Sequence, residues 1–211
     1  MATAVSQPEQ RVVLYDVSWA TYEHLLADHF DCSSPRFTYD EGTLEIMSPS
    51  GKHEKTNRVI ATLVESVADE WEIDLVNFGS TTFKREDFKK GFEPDSCFYI
   101  QNVESVRDKD EIDLHSDPPP DLVIEIDITS GSLHKLPIYA ALGIPEVWRF
   151  TGERLLILAL QDGAYVEADE SLALPGLTGE IIIRFVEDRR RLKRPTWIKS
   201  IREWARSHRP A

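Results

Sequence analysis

Cysteine is almost missing from the chain: Cys32 and Cys97 are the only two in 211 residues, and they make no CxxC pair. That excludes a disulfide-stapled scaffold and argues against a zinc site built on thiolates. Long apolar runs are missing too, and nothing approaches the ~20 residues that a membrane-spanning helix needs. Residues 1–11 lack the apolar centre of a signal peptide. The expectation is a cytoplasmic protein with no membrane partner. Basic residues are in deficit, 24 Lys and Arg against 37 Asp and Glu, for a net charge of −13. Taken as a total, that charge argues against a nucleic-acid binder. Internal repeats and low-complexity tracts are absent as well.

What is present is a 41 % hydrophobic composition, enough for one sizeable core. The expected organisation is a disordered lead over 1–11 and a single domain over 12–211. The charge is unevenly spread. From Arg184 to Ala211 there are ten Lys and Arg against three Asp and Glu, so this stretch is +7 while the rest of the chain is −20. Such asymmetry marks either a nucleic-acid contact surface or a solvated helix face that neutralises an acidic body.

Ser18 is placed to cap a helix with Trp19, Tyr22, Leu25 and Leu26 on one face. Arg36–Asp40 and Thr43–Met47 flank Glu41-Gly42 and predict a β-hairpin. Val59, Ile60, Leu63, Val64, Val67, Ala68 and Trp71 keep helical spacing, predicting a long helix over 53–71. Short strands are expected at 74–78 and 81–84, a loop at Lys89-Lys90-Gly91 and a strand at 96–100. Residues 103–117 read as an acidic surface loop with at most one helical turn. After Pro118-Pro119-Pro120 comes the strand 121–128, with Leu122, Ile124, Ile126 and Ile128 on one side and Val123, Glu125 and Asp127 on the other. Thr129 to Ser132 reads as a turn and cap, and 133–142 as a helix stopped by Gly143. Strands at 145–150, 154–160 and 164–168 and two basic helices within about 178–207 complete the chain. The fold class is α/β of the mixed α+β kind: one central mixed β-sheet flanked by helices.

Isolated carboxylates inside apolar strands are costly unless they bind a cation or share a proton. Asp95 opens one such strand, and Glu125 and Asp127 lie in another, roughly 7 Å apart along it. If the strands pair, Asp95 and Glu125 meet on one face. Hard divalent cations select carboxylate oxygens, and Mg²⁺ takes one or two of them plus waters and substrate phosphate. Bound there, Mg²⁺ (or Mn²⁺) would position a phosphodiester and acidify an attacking water. Lys135, opening the next helix, could reach over the sheet and stabilise developing charge. The blander alternatives stay open. They make Asp95 a loop cap, Asp127 a proton-sharing neighbour and Lys135 a solvated helix residue. Glu45, His53 and Glu54 are further candidates of the same ambiguous kind.

These residues fall in a recognisable order: Gly42-Thr-Leu-Glu-Ile-Met-Ser-Pro49 with His53, then Pro94-Asp95, then Pro119-Pro-Asp-Leu-Val-Ile-Glu125, then Lys135 with Tyr139, then Gly143-Ile-Pro-Glu-Val-Trp148. In this order the chain resembles, over roughly residues 15–190, the Uma-two family of proposed restriction endonucleases, formerly a domain of unknown function. The resemblance implies the PD-(D/E)xK restriction-endonuclease-like fold, with Asp95 and Glu125 as Mg²⁺ ligands and a lysine assisting hydrolysis. One position departs. Asp127 stands where that lysine is expected, so either Lys135 supplies it from the helix or Asp127 is a third ligand. The expected activity is a Mg²⁺-dependent endonuclease acting on DNA, with Asp95, Glu125, Asp127, Lys135 and Glu45 as site residues and a homodimer as a fair assembly. The alternative is an inactive nuclease-fold module that binds nucleic acid or protein.

Overall fold

A computed structural model describes residues 9–30, 32–128 and 133–210. The turn expected at Thr129–Ser132 and the first eight residues of the expected lead lie outside the described residues.

Two sheets form the frame. The first is antiparallel throughout and runs β1 (Gln10–Leu14), β3 (Thr43–Ser48), β2 (Arg36–Asp40), β6 (Lys90–Phe92), β5 (Phe83–Arg85). The second is mixed and runs β11 (Ala164–Ala168), β10 (Leu155–Gln161), β9 (Glu146–Phe150), β8 (Leu122–Ile126), β7 (Ser96–Tyr99), β4 (Val76–Asn77), with β8 and β9 its parallel pair. The single central sheet expected from the sequence is therefore accompanied by another. Part of that other sheet hides in segments the sequence shows as featureless. Gln10 and Arg11, expected in the lead, pair with Ser48 and Met47. Lys90-Gly91-Phe92, whose first two residues fall in the expected Lys89-Lys90-Gly91 loop, bridges β2 and β5. Three residues are too few to show a period of two.

Helix α1 (Trp19–Asp28) is capped by Ser18, whose side chain accepts from the Thr21 N–H. It lays Tyr22 on Phe37, Tyr39 and Leu44 of the first sheet. Close approach is required there. A Cβ on Gly91 would run into the Tyr22 ring. Helix α2 (Gly51–Trp71) is capped by Ser50 and is longer than the expected span by two residues at its start.

The faces of β8 divide as its alternation requires. Leu122, Ile124 and Ile126 pack under α2 with α4 (Gly179–Arg191) and α5 (Arg194–Ser207). Val123 packs on the opposite side, with Ile138 and Tyr139 of α3 (Leu136–Ala141) and with Phe83 and Phe92 of the first sheet. The acidic stretch after β7 holds a short 3₁₀ turn at Val103–Ser105, and it also buries Val103, Val106 and Leu114. No helix among the described residues is long and apolar enough to cross a membrane.

Candidate functional site

The site is built where β7 meets β8. Their antiparallel register sets Ser96 opposite Ile124 and Cys97 opposite Val123. One step further along that register sets Asp95 opposite Glu125, a cross-strand pair with Cβ atoms about 5 Å apart. Glu125 therefore projects with Val123 from the face covered by α3, while the Asp95 carboxylate is met by His53 at the start of α2. Lys135, the residue before α3, reaches down from that cover, and its Nζ lies 2.8 Å from Glu125 Oε2. The hydroxyl of Tyr139, one turn further on, donates to Glu125 Oε1. Glu125 and Lys135 leave only 13 % and 10 % of their side chains exposed.

Asp95 is more deeply held, 2 % exposed. Its Oδ1 accepts from Arg36 of β2, and its Oδ2 accepts the Ile126 N–H at 2.6 Å. Arg36 also bonds Glu54 in the first turn of α2. His53, wholly buried beside it, brings Nε2 to 3.2 Å from Asp95 Oδ2. Asn57, one turn on, donates to the Asp95 carbonyl at 2.7 Å and accepts from the Ser96 hydroxyl at 2.9 Å. The start of α2 is thus clamped to the start of β7. Its His53-x-x-x-Asn57 spacing puts both side chains on the helix face turned to the sheet.

The two acids are pushed in opposite directions. Burial alone would raise the Asp95 carboxyl, but the His53 contact and the Arg36 and Lys135 charges outweigh it and hold it below the ordinary range. For Glu125, burial wins. It raises the carboxyl, helped by the nearby Asp95 charge, against the opposing pull of Lys135 and Tyr139. Lys135 resists its own burial because Glu125 and Asp95 favour its charged form, so its pKa lies above the ordinary value. Two carboxylates in unlike environments beside one lysine are the arrangement expected of an acid–base or metal site rather than of a neutral core.

The remaining expected residues fall nearby in different roles. Asp127 faces the same cavity of about 560 Å³ as Glu125, Lys135 and Tyr139, but its carboxylate pairs with Arg149 of β9. Glu45, 1 % exposed, takes Arg11 at 3.2 Å and accepts the Leu133 N–H at 2.8 Å. It fastens the segment leading to Lys135 onto β3. Among the described residues, no group of three or more His, Cys, Asp and Glu side chains is arranged to hold a metal ion. A two-carboxylate set of hard oxygens still fits Mg²⁺, which keeps several waters. Asp95 and Glu125 supply such a set. Each of their four oxygens accepts from a protein donor, so a cation entering there would exchange with Arg36 or Lys135 contacts.

Sequence reasoning passes over Arg36, Arg11, Asn57 and Arg149. Each is an ordinary polar residue whose role comes from a partner 22 to 59 residues away. A buried carboxylate demands a cation, and that requirement is the one signal that could have found the three arginines. The sequence does not say which cation answers it.

A family profile described as "Uma2: Putative restriction endonuclease" matches residues 19–183. A crystal structure described as a putative nuclease belonging to DUF820 from Anabaena variabilis ATCC 29413 superposes with a TM-score of 0.51 at 17 % identity. It covers 76 % of this chain and 98 % of that one, a likeness of fold. No curated protein matches the chain.

Proposed function

The chain belongs to the Uma2 family of putative restriction endonucleases, and from that premise we propose that it is a Mg²⁺- or Mn²⁺-dependent endonuclease that hydrolyses DNA phosphodiester bonds. Asp95 and Glu125 would hold the metal, which when bound polarises the scissile phosphate and supplies an activated water. Lys135 carries its charge to the carboxylate pair and stabilises the negative charge that builds on the phosphate. Tyr139 fixes the Glu125 carboxylate by its hydrogen bond. Arg149 and Arg11 line the same cavity and offer donors to phosphate oxygens. Asp127 orients Arg149.

One observation carries this reading. The strand position expected to bear the lysine bears Asp127, yet Lys135 Nζ stands 2.8 Å from Glu125. Lys135 thus offers Glu125, from the helix side, the charge that the resemblance expects from the strand. A plasmid-nicking assay in Mg²⁺ and in Mn²⁺ tests it. Wild type is expected to cut, and Asp95→Ala and Glu125→Gln to be inert. An Asp95→Ala protein as fast as wild type would sink the assignment.

A second reading is favoured by the saturation of both acids. Arg36, the Ile126 N–H, Lys135 and Tyr139 already occupy their oxygens, as suits a nuclease fold kept for binding. Calorimetry with Mn²⁺ separates the two. The enzyme requires binding that vanishes in Glu125→Gln, while the binding module shows none in either protein.

A further inference from the structure

A second opening lies on the far side of the carboxylate pair. It encloses about 730 Å³ between the first half of α2 and the α4–α5 junction, and Asp95 and Ser96 lie along it. Its acids are all engaged: Glu54 and Asp95 by Arg36, and Glu65 by the Asn77 amide at 2.8 Å. Of its cations, Arg36 is ion-paired and Arg189 donates to the Leu192 carbonyl at 3.1 Å, and three remain. Lys55 and Arg58, three apart on α2, and Arg194 at the start of α5 are exposed and make no ion pair within 4.0 Å among the described residues. The far end of the basic tail differs, although Arg184, Arg189, Arg190, Arg191 and Lys193 also make no ion pair among the described residues. Arg202 and Arg206 are paired with Glu70, and Arg209 with Glu72. In a chain with thirteen surplus negative charges, the unpaired cations gather at the start of α2 and around α4 and its junction with α5, and three exposed ones line this one opening.

We propose that this cleft is the track for the phosphate backbone of duplex DNA, with Lys55, Arg58 and Arg194 as its phosphate contacts, leading the strand to the Asp95 end of the site. The lining favours a polyanion over a protein partner. It includes hydroxyl and amide groups, among them Ser34, Thr62, Asn77 and Ser80, and its large apolar side chains are few, Val59 and Trp197. Phosphate oxygens take such groups together with Lys and Arg, whereas the buried centre of a protein interface is depleted in charge. The assignment of DNA rests on the nuclease reading above.

Fluorescence anisotropy with a labelled duplex of about 30 base pairs, in EDTA so that nothing is cut, tests it on the full chain. The triple variant Lys55→Gln/Arg58→Gln/Arg194→Gln is expected to bind at least ~30-fold more weakly near 0.1 M salt. The log–log slope of affinity against salt should flatten by about 2.7, at roughly 0.9 for each phosphate left without its cation. Arg58→Gln and Arg194→Gln alone should each flatten it by about 0.9, which keeps the test decisive if the triple variant folds poorly. The control Arg206→Gln/Arg209→Gln, which removes paired cations, should stay within about twofold of wild type. The proposal is overturned if the triple variant binds as wild type does, if the control loses as much, or if wild type ignores the duplex and takes an acidic protein or RNA instead. The two readings fail separately. Wild type that nicks plasmid while the triple variant still binds normally removes the cleft and leaves the nuclease. Loss of binding in the triple variant, with no cleavage by wild type in either metal, removes the nuclease and leaves the cleft.

Discussion

Under the proposed nuclease function the chemistry turns on Lys135 and Asp95, and they fail in different ways. Lys135→Ala removes a charge aimed at the reacting phosphate, so cleavage should fall about 10²- to 10³-fold with binding of duplex DNA little changed. Single-turnover rates beside anisotropy measure the two. The raised Glu125 carboxyl adds a pH dependence. Glu125 must be ionised to hold a cation. Its protonated form persists above the ordinary value of about 4.3, so Mn²⁺ affinity should decline in acid from a midpoint higher than that. Calorimetry across a pH series checks this, and a midpoint at or below about 4.3 contradicts the burial argument. Asp95 runs the other way. Its folded pKa is depressed, so the stability it contributes is present above the free value of about 3.9 and is lost as pH falls through the lower folded one. Asp95→Asn strips a buried arginine of one partner and leaves Glu54 as the other. It should cost about 3 kcal/mol near neutrality, with the gap to wild type closing only below about pH 4. Urea unfolding at several pH values measures that gap.

At the scale of elements, Glu45 shows how a strand far from the chemistry sets it. Its carboxylate holds the Leu133 N–H, two residues before Lys135. Under the proposed function it acts as a positioning residue. Glu45→Ala should cost about 2 kcal/mol for the lost charge-assisted hydrogen bond, or about 4–8 °C in Tm for a chain of this size. Cleavage should fall through kcat more than through KM, with faster amide exchange over 133–139. A loss of Tm with kcat and exchange unchanged would make Glu45 merely structural. The same pair of elements shows what the sequence could convey. Glu125 among Leu122, Val123, Ile124 and Ile126 stands out because alternation says a side chain is buried and chemistry says a carboxylate should not be. The length of α2 is legible from seven apolar positions in helical spacing. Gln10–Leu14 and Lys90–Phe92 are not legible. Each is a short strand that exists because a neighbour offers unpaired backbone groups. Arg36 is hidden for a similar reason. Its importance is a contact 59 residues away, which no local pattern encodes.

Across the whole molecule, the basic tail has two jobs that composition merges into one number. Its outer face carries cations without an ion pair from Arg184 to Arg194 and, further on, cations that neutralise the acidic end of α2. Its inner face belongs to the core. Trp197 is 1 % exposed and Ile201 and Ala205 wholly buried, all in the cluster shared by α2, β8 and β9. The Trp71 indole N–H donates to the Ala205 carbonyl at 2.8 Å, and the Trp197 indole N–H to the Phe185 carbonyl at 2.7 Å. Burying an aromatic and an aliphatic side chain of this size is worth about 2–3 kcal/mol each, before the exposure of Trp71 is counted. Total stabilities are only about 5–15 kcal/mol. A chain ended after Lys193 should therefore lose cooperative thermal unfolding, bind a hydrophobic dye and fall from solution, with DNA binding lost as a consequence. A detachable DNA-binding arm predicts the opposite, a truncated protein that unfolds sharply near the wild-type Tm and lacks only affinity. Differential scanning calorimetry on the 1–193 chain decides between them. The buried tryptophan at the start of α5 requires the first outcome: the segment that carries the surplus positive charge is also the one that closes the core beneath the carboxylate strand.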